Sequence, residues 1–204
     1  MVESGNVDII TGDWLSEMNI AWNAIAKARD PSLGYESGFL DQLSRCIDSV
    51  VAKGLKVITN AGALNTAALA SEVEALCRAT GHKEVVVAQV VGDDITELLR
   101  DKDARKKLEL HHLDHQEQAL GGWDLNEQIH SGVAYIGAWG IVEALKAGAD
   151  IVICGRVTDA SPVIGAAAWW YGWGPEEFDE LAGALVAGRK SNPPLAVKQR
   201  DLIA

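Results

Sequence analysis

Long apolar runs are missing from this 204-residue chain. No stretch approaches the roughly 20 apolar residues that a bilayer-spanning helix needs. The N-terminus, MVESGNVD, has neither the basic start nor the apolar run of a signal peptide. These absences predict a cytoplasmic protein with no membrane attachment. Positive charge is scarce as well: 18 Lys and Arg stand against 29 Asp and Glu, a formal net charge of −11. Duplex binding needs a basic face to release counterions, so nucleic acid is excluded as a partner. The short run ARKK at 104–107 reads as a charged helix face. The cysteines, Cys46, Cys77 and Cys154, are three, scattered and without a CxxC. Their apolar neighbours mark them as reduced, packed thiols, although Cys154, at a strand end, also stands where a nucleophile would. No GxGxxG, GK[ST] or GxSxG is present, so the usual nucleotide and hydrolase fingerprints do not apply.

What is there is alternation. Short β-rich runs at 7–11 (VDIIT), 55–59 (LKVIT), 84–91 (EVVVAQVV) and 150–154 (DIVIC) read as strands, with VAYI at 133–136 as a further short one. Between them lie amphipathic helices. Leu15, Met18, Trp22 and Ile25 fall on one helical stripe. Ser37 is placed to cap the next helix, whose buried face is Leu40, Leu43, Ile47 and Val50. Leu69, Val73 and Leu76 line a third, and Asp94 and Glu97 have capping-box spacing. Helices at 162–171 and 175–187 carry proline at their first position. Strands apolar on both faces, separated by such helices, predict an α/β fold: a Rossmann-like parallel sheet with helices on both faces. Residues 1–188 form this domain, and 189–204, basic and broken by proline, read as a poorly ordered tail.

Right-handed crossovers bring the carboxyl ends of such strands to one edge, where open α/β sheets bind ligands. The turns that arrive there are Gly12-Asp13, Asn60-Ala61-Gly62, Gly92-Asp93-Asp94 and Gly155-Arg156-Val157-Thr158-Asp159. They predict one polar rim. Asp13, Asp93 and Asp159 are candidates for acid-base catalysis or for holding a hard metal. Arg156 suits a carboxylate or phosphate. The competing reading gives the Asp and Asn residues to helix caps and the glycines to tight turns, with Ser161 before Pro162 as an ordinary cap. Arginine is no preferred cap, so Arg156 escapes that reading, yet an Arg–Asp pair also serves structure alone.

Two further features are weaker. HHLDHQE at 111–117 places His111 and His115 four apart with Asp114 between, a zinc-compatible spacing without a third ligand. AAAWWYGW at 166–173 suits either an apolar pocket wall or a helix end packed into the core. Neither metal nor cofactor is identified by the sequence.

Six segments, in order, resemble the acyclic terpene utilisation (AtuA-like) family: GDWLSEMNIAW, GYESGFLDQL, KVITNAGALN, VVGDD, AYIGAWGIVEALKAGADIVICGRVTDAS and AAWWYGW. The likeness runs from residue 6 to about 188 and is most specific between Ala134 and Trp173. It implies a place in the bacterial catabolism of acyclic terpenoids such as citronellol and geraniol. The family's turns fall on Gly12-Asp13 with a helical acid at Glu17, on Thr59-Asn60-Ala61-Gly62 with Asn65, on Gly92-Asp93, and on Gly155-Arg156-Val157 with Asp159. The resemblance therefore implies an enzyme or enzyme component acting on a small organic acid, terpenoid or branched-chain, or its CoA thioester. A hydratase, lyase or hydrolase step suits a rim with acids and no redox fingerprint. In that scheme Arg156 binds the anionic group, Asn60 and the Gly62 backbone donate to an oxyanion, and Asn65 and Thr158 are further substrate-binding residues. The alternatives are a non-catalytic binding or assembly domain, or an inactive truncation. Family members carry an earlier strand with a GGSGFYGD-type turn and continue past the last helix, so the chain reads as a fragment. An open sheet edge at its first strand would favour a homo-oligomer.

Overall fold

The computed structural model describes residues 2–3, 5–108, 110–117, 129–189 and 196–197. Four parallel strands form the sheet: β1 (Ile9–Gly12), β2 (Lys56–Thr59), β3 (Val87–Val90) and β4 (Ile151–Cys154). Their order is β3-β4-β2-β1, with β5 (Ala196–Val197) antiparallel on the outer side of β1. The register sets Thr59 beside both Gly12 and Ile153, and Val90 beside Cys154, so all four carboxyl ends finish level.

Helices cover both faces. After β1 come α1 (Glu17–Arg29), α2 (Ser37–Ser44) and α3 (Ile47–Ala52), and after β2 comes α4 (Thr66–Ala79). After β3 come α5 (Thr96–Arg100), α6 (Lys102–Lys107) and α7 (Trp139–Lys146), and β4 is followed by α8 (Ser161–Tyr171) and α9 (Phe178–Arg189). Side chains alternate across each strand. Ile151 and Ile153 of β4 enter one core with Leu43, Ile47 and Val50 of α2 and α3 and Leu69 and Val73 of α4. Val152 and Cys154 enter the other, with Ile141 and Leu145 of α7 and Ala166 of α8. The α/β class expected from the strands is the architecture found. The connections leaving β2 and β4, neighbours in the sheet, go to opposite faces, which opens a crevice between their carboxyl ends.

Of the expected stripe, Leu15, which precedes α1, is buried, but the three residues on the helix itself are not. Met18, Trp22 and Ile25 are exposed; Asn23 and Ala24 are the buried residues of α1, and neither joins the two core clusters. Its inward face is polar: Asn23 bonds Glu36 at 2.5 Å and Lys27 bonds the Leu64 carbonyl at 2.5 Å. The cause is position, because α1 does not pack on a sheet face.

Smaller differences have local causes. Ser37 is the first residue of α2 rather than its cap, which is Glu36. Asp94 accepts from the Thr96 N–H at 2.9 Å while Glu97 pairs with Arg100, so no capping box forms. Residues 133–136 make isolated bridges, Val133 to Asp94 and Ile136 to Val157, instead of a strand. Pro162 is the second residue of α8, and α9 begins at Phe178 rather than at Pro175. Of the tail, Ala196 and Val197 pair with Ile10 and Ile9; 190–195 and 198–204 lie outside the described residues. The β1 edge expected to be open is thus paired along half its length.

The tryptophan-rich end of α8 divides between core and surface. Trp169 packs on the second core, Trp170 is partly exposed, and the Tyr171 and Trp173 rings stack at 5.0 Å. No helix among the described residues is long and apolar enough to cross a membrane.

Candidate functional site

The β1 and β2 ends are tied together through Asn60, which is fully buried. Its Nδ2 donates to Asp13 Oδ1 at 2.7 Å, and its Oδ1 accepts from the Trp14 N–H at 2.7 Å. The Leu15 N–H also reaches Asp13 Oδ1, at 3.3 Å. Asp13, itself exposed, is therefore held by one oxygen from below. Beside it the β2 turn approaches β4 closely. The Gly62 N–H donates to the Cys154 carbonyl at 3.0 Å, and a Cβ on Gly62 would stand 2.6 Å from that carbonyl oxygen. Only glycine permits this contact.

The β3 and β4 ends are joined by Asp93. It is buried, its Oδ2 accepts the Arg156 N–H at 2.5 Å, and its carboxylate lies against Gly155. The chain between Val133 and Ile136 threads this gap: Ala134 donates to the Asp93 carbonyl at 2.7 Å and Ile136 to the Arg156 carbonyl at 3.2 Å. That path delivers Tyr135 to the rim.

Arg156 is the centre of the arrangement. Its side chain is only 3% exposed. Nη1 donates to the Leu15 carbonyl at 3.0 Å and Nη2 to Asp159 Oδ1 at 3.2 Å, with Glu17 Oε1 3.6 Å from the same nitrogen. Its Nε is buried without a hydrogen-bond partner. The Tyr135 ring lies over the guanidinium at 3.9 Å, a cation–π contact, and the Tyr135 hydroxyl donates to Glu17 Oε1 at 2.6 Å. That bond holds the Glu17 carboxyl below its ordinary range, helped by a backbone bond and by Arg156. The same bond, with partial burial, pushes the Tyr135 phenol up.

Above this layer opens a cavity of about 380 Å³ lined by Asp13, Tyr135, Thr158, Asp159, Ala160, Leu185, Gly188 and Arg189. The structure thus brings Asp13, Thr158 and Asp159 to one wall. Asp93, Asn60 and Gly62 lie beneath it as supports. Asn65 lies elsewhere: its Nδ2 donates to the carbonyls of Pro31 and Leu33, fastening the loop after α1. The oxyanion donors expected at Asn60 and Gly62 are engaged with Asp13 and Cys154. Cys154 is a core residue whose thiol is pushed well up by burial and by the Asp93 charge, which fits a packed thiol and no nucleophile. Among the described residues no three His, Cys, Asp or Glu side chains gather to hold a metal. His111 instead contacts the Gln116 carbonyl at 2.6 Å.

Tyr135 is the residue that sequence reasoning missed. Read as one position of a short strand, VAYI offered no reason to separate it from its neighbours. The signal was a lone aromatic with a hydroxyl in a segment arriving at the same edge as the four turns.

A family profile described as Acyclic terpene utilisation family protein AtuA matches residues 1–190. The chain belongs to that family. Comparison with curated proteins and with solved structures returned no match. The match spans every element that builds the rim, from Asp13 on β1's turn to Arg189 at the end of α9.

Proposed function

We propose that the cavity at the rim is the active site of an enzyme of acyclic terpene catabolism. It takes a terpenoid or branched-chain acid, or the CoA thioester of one, through an acid-base step of hydratase, lyase or hydrolase type. The observation that carries this reading is that Asp13 and Asp159 line one cavity, with Asp159 paired to the buried Arg156. Asp13 is oriented through Oδ1 by Asn60 and Leu15, and its other oxygen takes or gives the proton. Arg156 attracts the substrate's anionic group, the Thr158 hydroxyl adds a hydrogen bond, and Leu185 and Ala160 meet the hydrocarbon part. Asp93 is a positioning residue that holds the β4 turn.

A domain that binds such an acid without transforming it is the second reading. It is favoured by one observation: the Asn60 and Gly62 donors are engaged inside the fold, so an acyl oxyanion would find neither of them free. Product formation from a panel of branched-chain acyl-CoA thioesters, followed by mass spectrometry, separates the two. Asp13→Asn and Asp159→Asn are expected to lower turnover by roughly 10²- to 10⁴-fold, the usual contribution of a general acid or base, while ligand still raises the melting temperature. Variants that change affinity alone, with product absent throughout, would establish the binding domain and end the enzymatic reading.

A further inference from the structure

Arg156 presents a contradiction: a buried cation offered as an anion site, with no free face. A carboxylate binds guanidinium best in bidentate fashion, along one edge of the fork. The edge formed by Nη1 and Nη2 is closed by the Leu15 carbonyl, a backbone group at the entry to α1. The other edge is formed by Nε and Nη2. Its Nε has no partner, and its Nη2 is shared by two carboxylates, Asp159 at 3.2 Å and Glu17 at 3.6 Å. Both of those acids are mostly exposed, at 67% and 79%. The guanidinium is thus hidden beneath solvent-facing side chains, and one hydrogen-bonding edge of it is only half used.

The charge balance has the same consequence. One cation already faces Glu17 and Asp159, while Asp93 holds its backbone N–H. A substrate carboxylate added to this group would meet like charges at close range, so one of the resident carboxylates has to leave.

Glu17 is the one able to leave. It is the first residue of α1, a helix whose side chains are absent from both hydrophobic cores. Beyond its entry segment, α1 is held by single polar contacts: Tyr135 to Glu17, Asn23 to Glu36, and Lys27 to the Leu64 carbonyl. A cavity of about 670 Å³, lined by Ala24, Lys27 and Ala28, flanks its C-terminal half, and Tyr135, the partner of Glu17, lines the 380 Å³ cavity. Segments with few buried apolar contacts open at low cost in free energy.

We propose that Glu17 and Tyr135 are specificity-determining and positioning residues of the Arg156 site. Glu17 is a resident anion that stands in for the substrate carboxylate, and Tyr135 is the latch that keeps it there. An incoming carboxylate takes the Nε–Nη2 edge of Arg156, displaces Glu17, breaks its bond to the Tyr135 hydroxyl and frees the first turn of α1. The Tyr135 ring stays on the guanidinium and becomes one wall of the bound acid. Uncharged analogues cannot make this exchange, so the latch selects acids. This inference rests on the reading of Arg156 as the anion-binding residue.

The test uses the full chain with isovalerate, a branched carboxylate, and 3-methylbutanol, its uncharged counterpart. Calorimetry measures affinity, and hydrogen exchange measures protection of the amides in the first two turns of α1. Wild type is expected to bind isovalerate in preference to the alcohol and to lose protection in α1 when it does. Tyr135→Phe keeps the stacked ring and removes the hydroxyl that bonds Glu17. It and Glu17→Gln are expected to bind isovalerate roughly fivefold or more tightly than wild type, a typical coupling between linked equilibria, with α1 already less protected before ligand is added. A purely structural lesion would weaken binding, so a gain is diagnostic. Unchanged or weaker binding by both variants, or α1 protection that ligand leaves unmoved, overturns the latch while leaving Arg156 as the anion site. Arg156→Lys keeps the charge and loses the fork. If it binds isovalerate as tightly as wild type, or if wild type binds neither probe, the anion-site reading itself fails and the latch with it.

Discussion

Gly155 has no room for a side chain, because the Asp93 carboxylate occupies the place a Cβ would take. That carboxylate cannot move away without leaving the Arg156 N–H, which it accepts from a buried position. A methyl group at 155 therefore forces either the β4 turn or the end of β3 to shift. Gly155→Ala is expected to destabilise the fold by about 1–3 kcal/mol, in the range of overpacked interiors, and to misplace Arg156 and Asp159 together. Urea unfolding would show the loss as a lowered midpoint; a variant with an unchanged midpoint would mean that Asp93 does not hold the turn. At this scale the Asp and Asn residues divide between the two roles that the sequence left open. Asn60, Asn65 and Asp93 form internal bonds to the fold, while Asp13 and Asp159 stand on the cavity wall. Aspartate occurs in both groups, and burial separates Asp93 from Asp13 and Asp159.

Two helices with similar apolar periodicity have opposite fates. In α4, Leu69 and Val73 are fully buried against the sheet. In α1, Met18, Trp22 and Ile25 recur at comparable intervals and face outward. The helix after β1 is followed by α2 and α3 before the chain re-enters the sheet, and those two supply the packing on that face. With the face taken, α1 turns its Asn and Lys side chains inward, to Glu36 and the Leu64 carbonyl. Leu69→Ala is expected to cost about 2–5 kcal/mol, as for other buried leucines. Trp22→Gln, a far larger chemical change, is expected to move stability by no more than about 0.5 kcal/mol, as at other surface positions. Equal losses in denaturant melts of the two variants would show that α1 is packed by its apolar stripe after all.

Over the whole molecule the formal charge is −11, and the cavity lining carries two of its acids, Asp13 and Asp159, against one cation, Arg189. An anionic ligand approaches the proposed site against a repulsive potential, the reverse of steered association. Its association rate should therefore rise, by a few-fold, between about 10 mM and about 150 mM salt as the Debye length shortens. Stopped-flow tryptophan fluorescence with a branched-chain carboxylate would follow this. A rate that falls with salt would mean that Arg156 dominates the local field and that the acids around it do not screen it.

The sequence by itself determined the strands, their apolar residues on both faces, the parallel α/β class and the edge on which the polar turns meet. Those are consequences of local pattern: runs such as IVIC can be satisfied only between two layers of helices, and parallel connections must then end together. Arg156 stood out because arginine is no preferred cap at a strand end, and the local pair with Asp159 that the sequence also allowed does form. Tertiary structure decided the rest. Which face α1 presents depends on whether α2 and α3 have already covered the sheet. Which carboxylates are free depends on partners far along the chain, Asn60 for Asp13 and Arg156 for Asp93. Tyr135 reaches Glu17 across 118 positions of sequence, a contact that no spacing rule contains. Hydrophobic periodicity records how much of an element can be buried, whereas the order in which elements claim the two faces of a sheet is settled only when they pack.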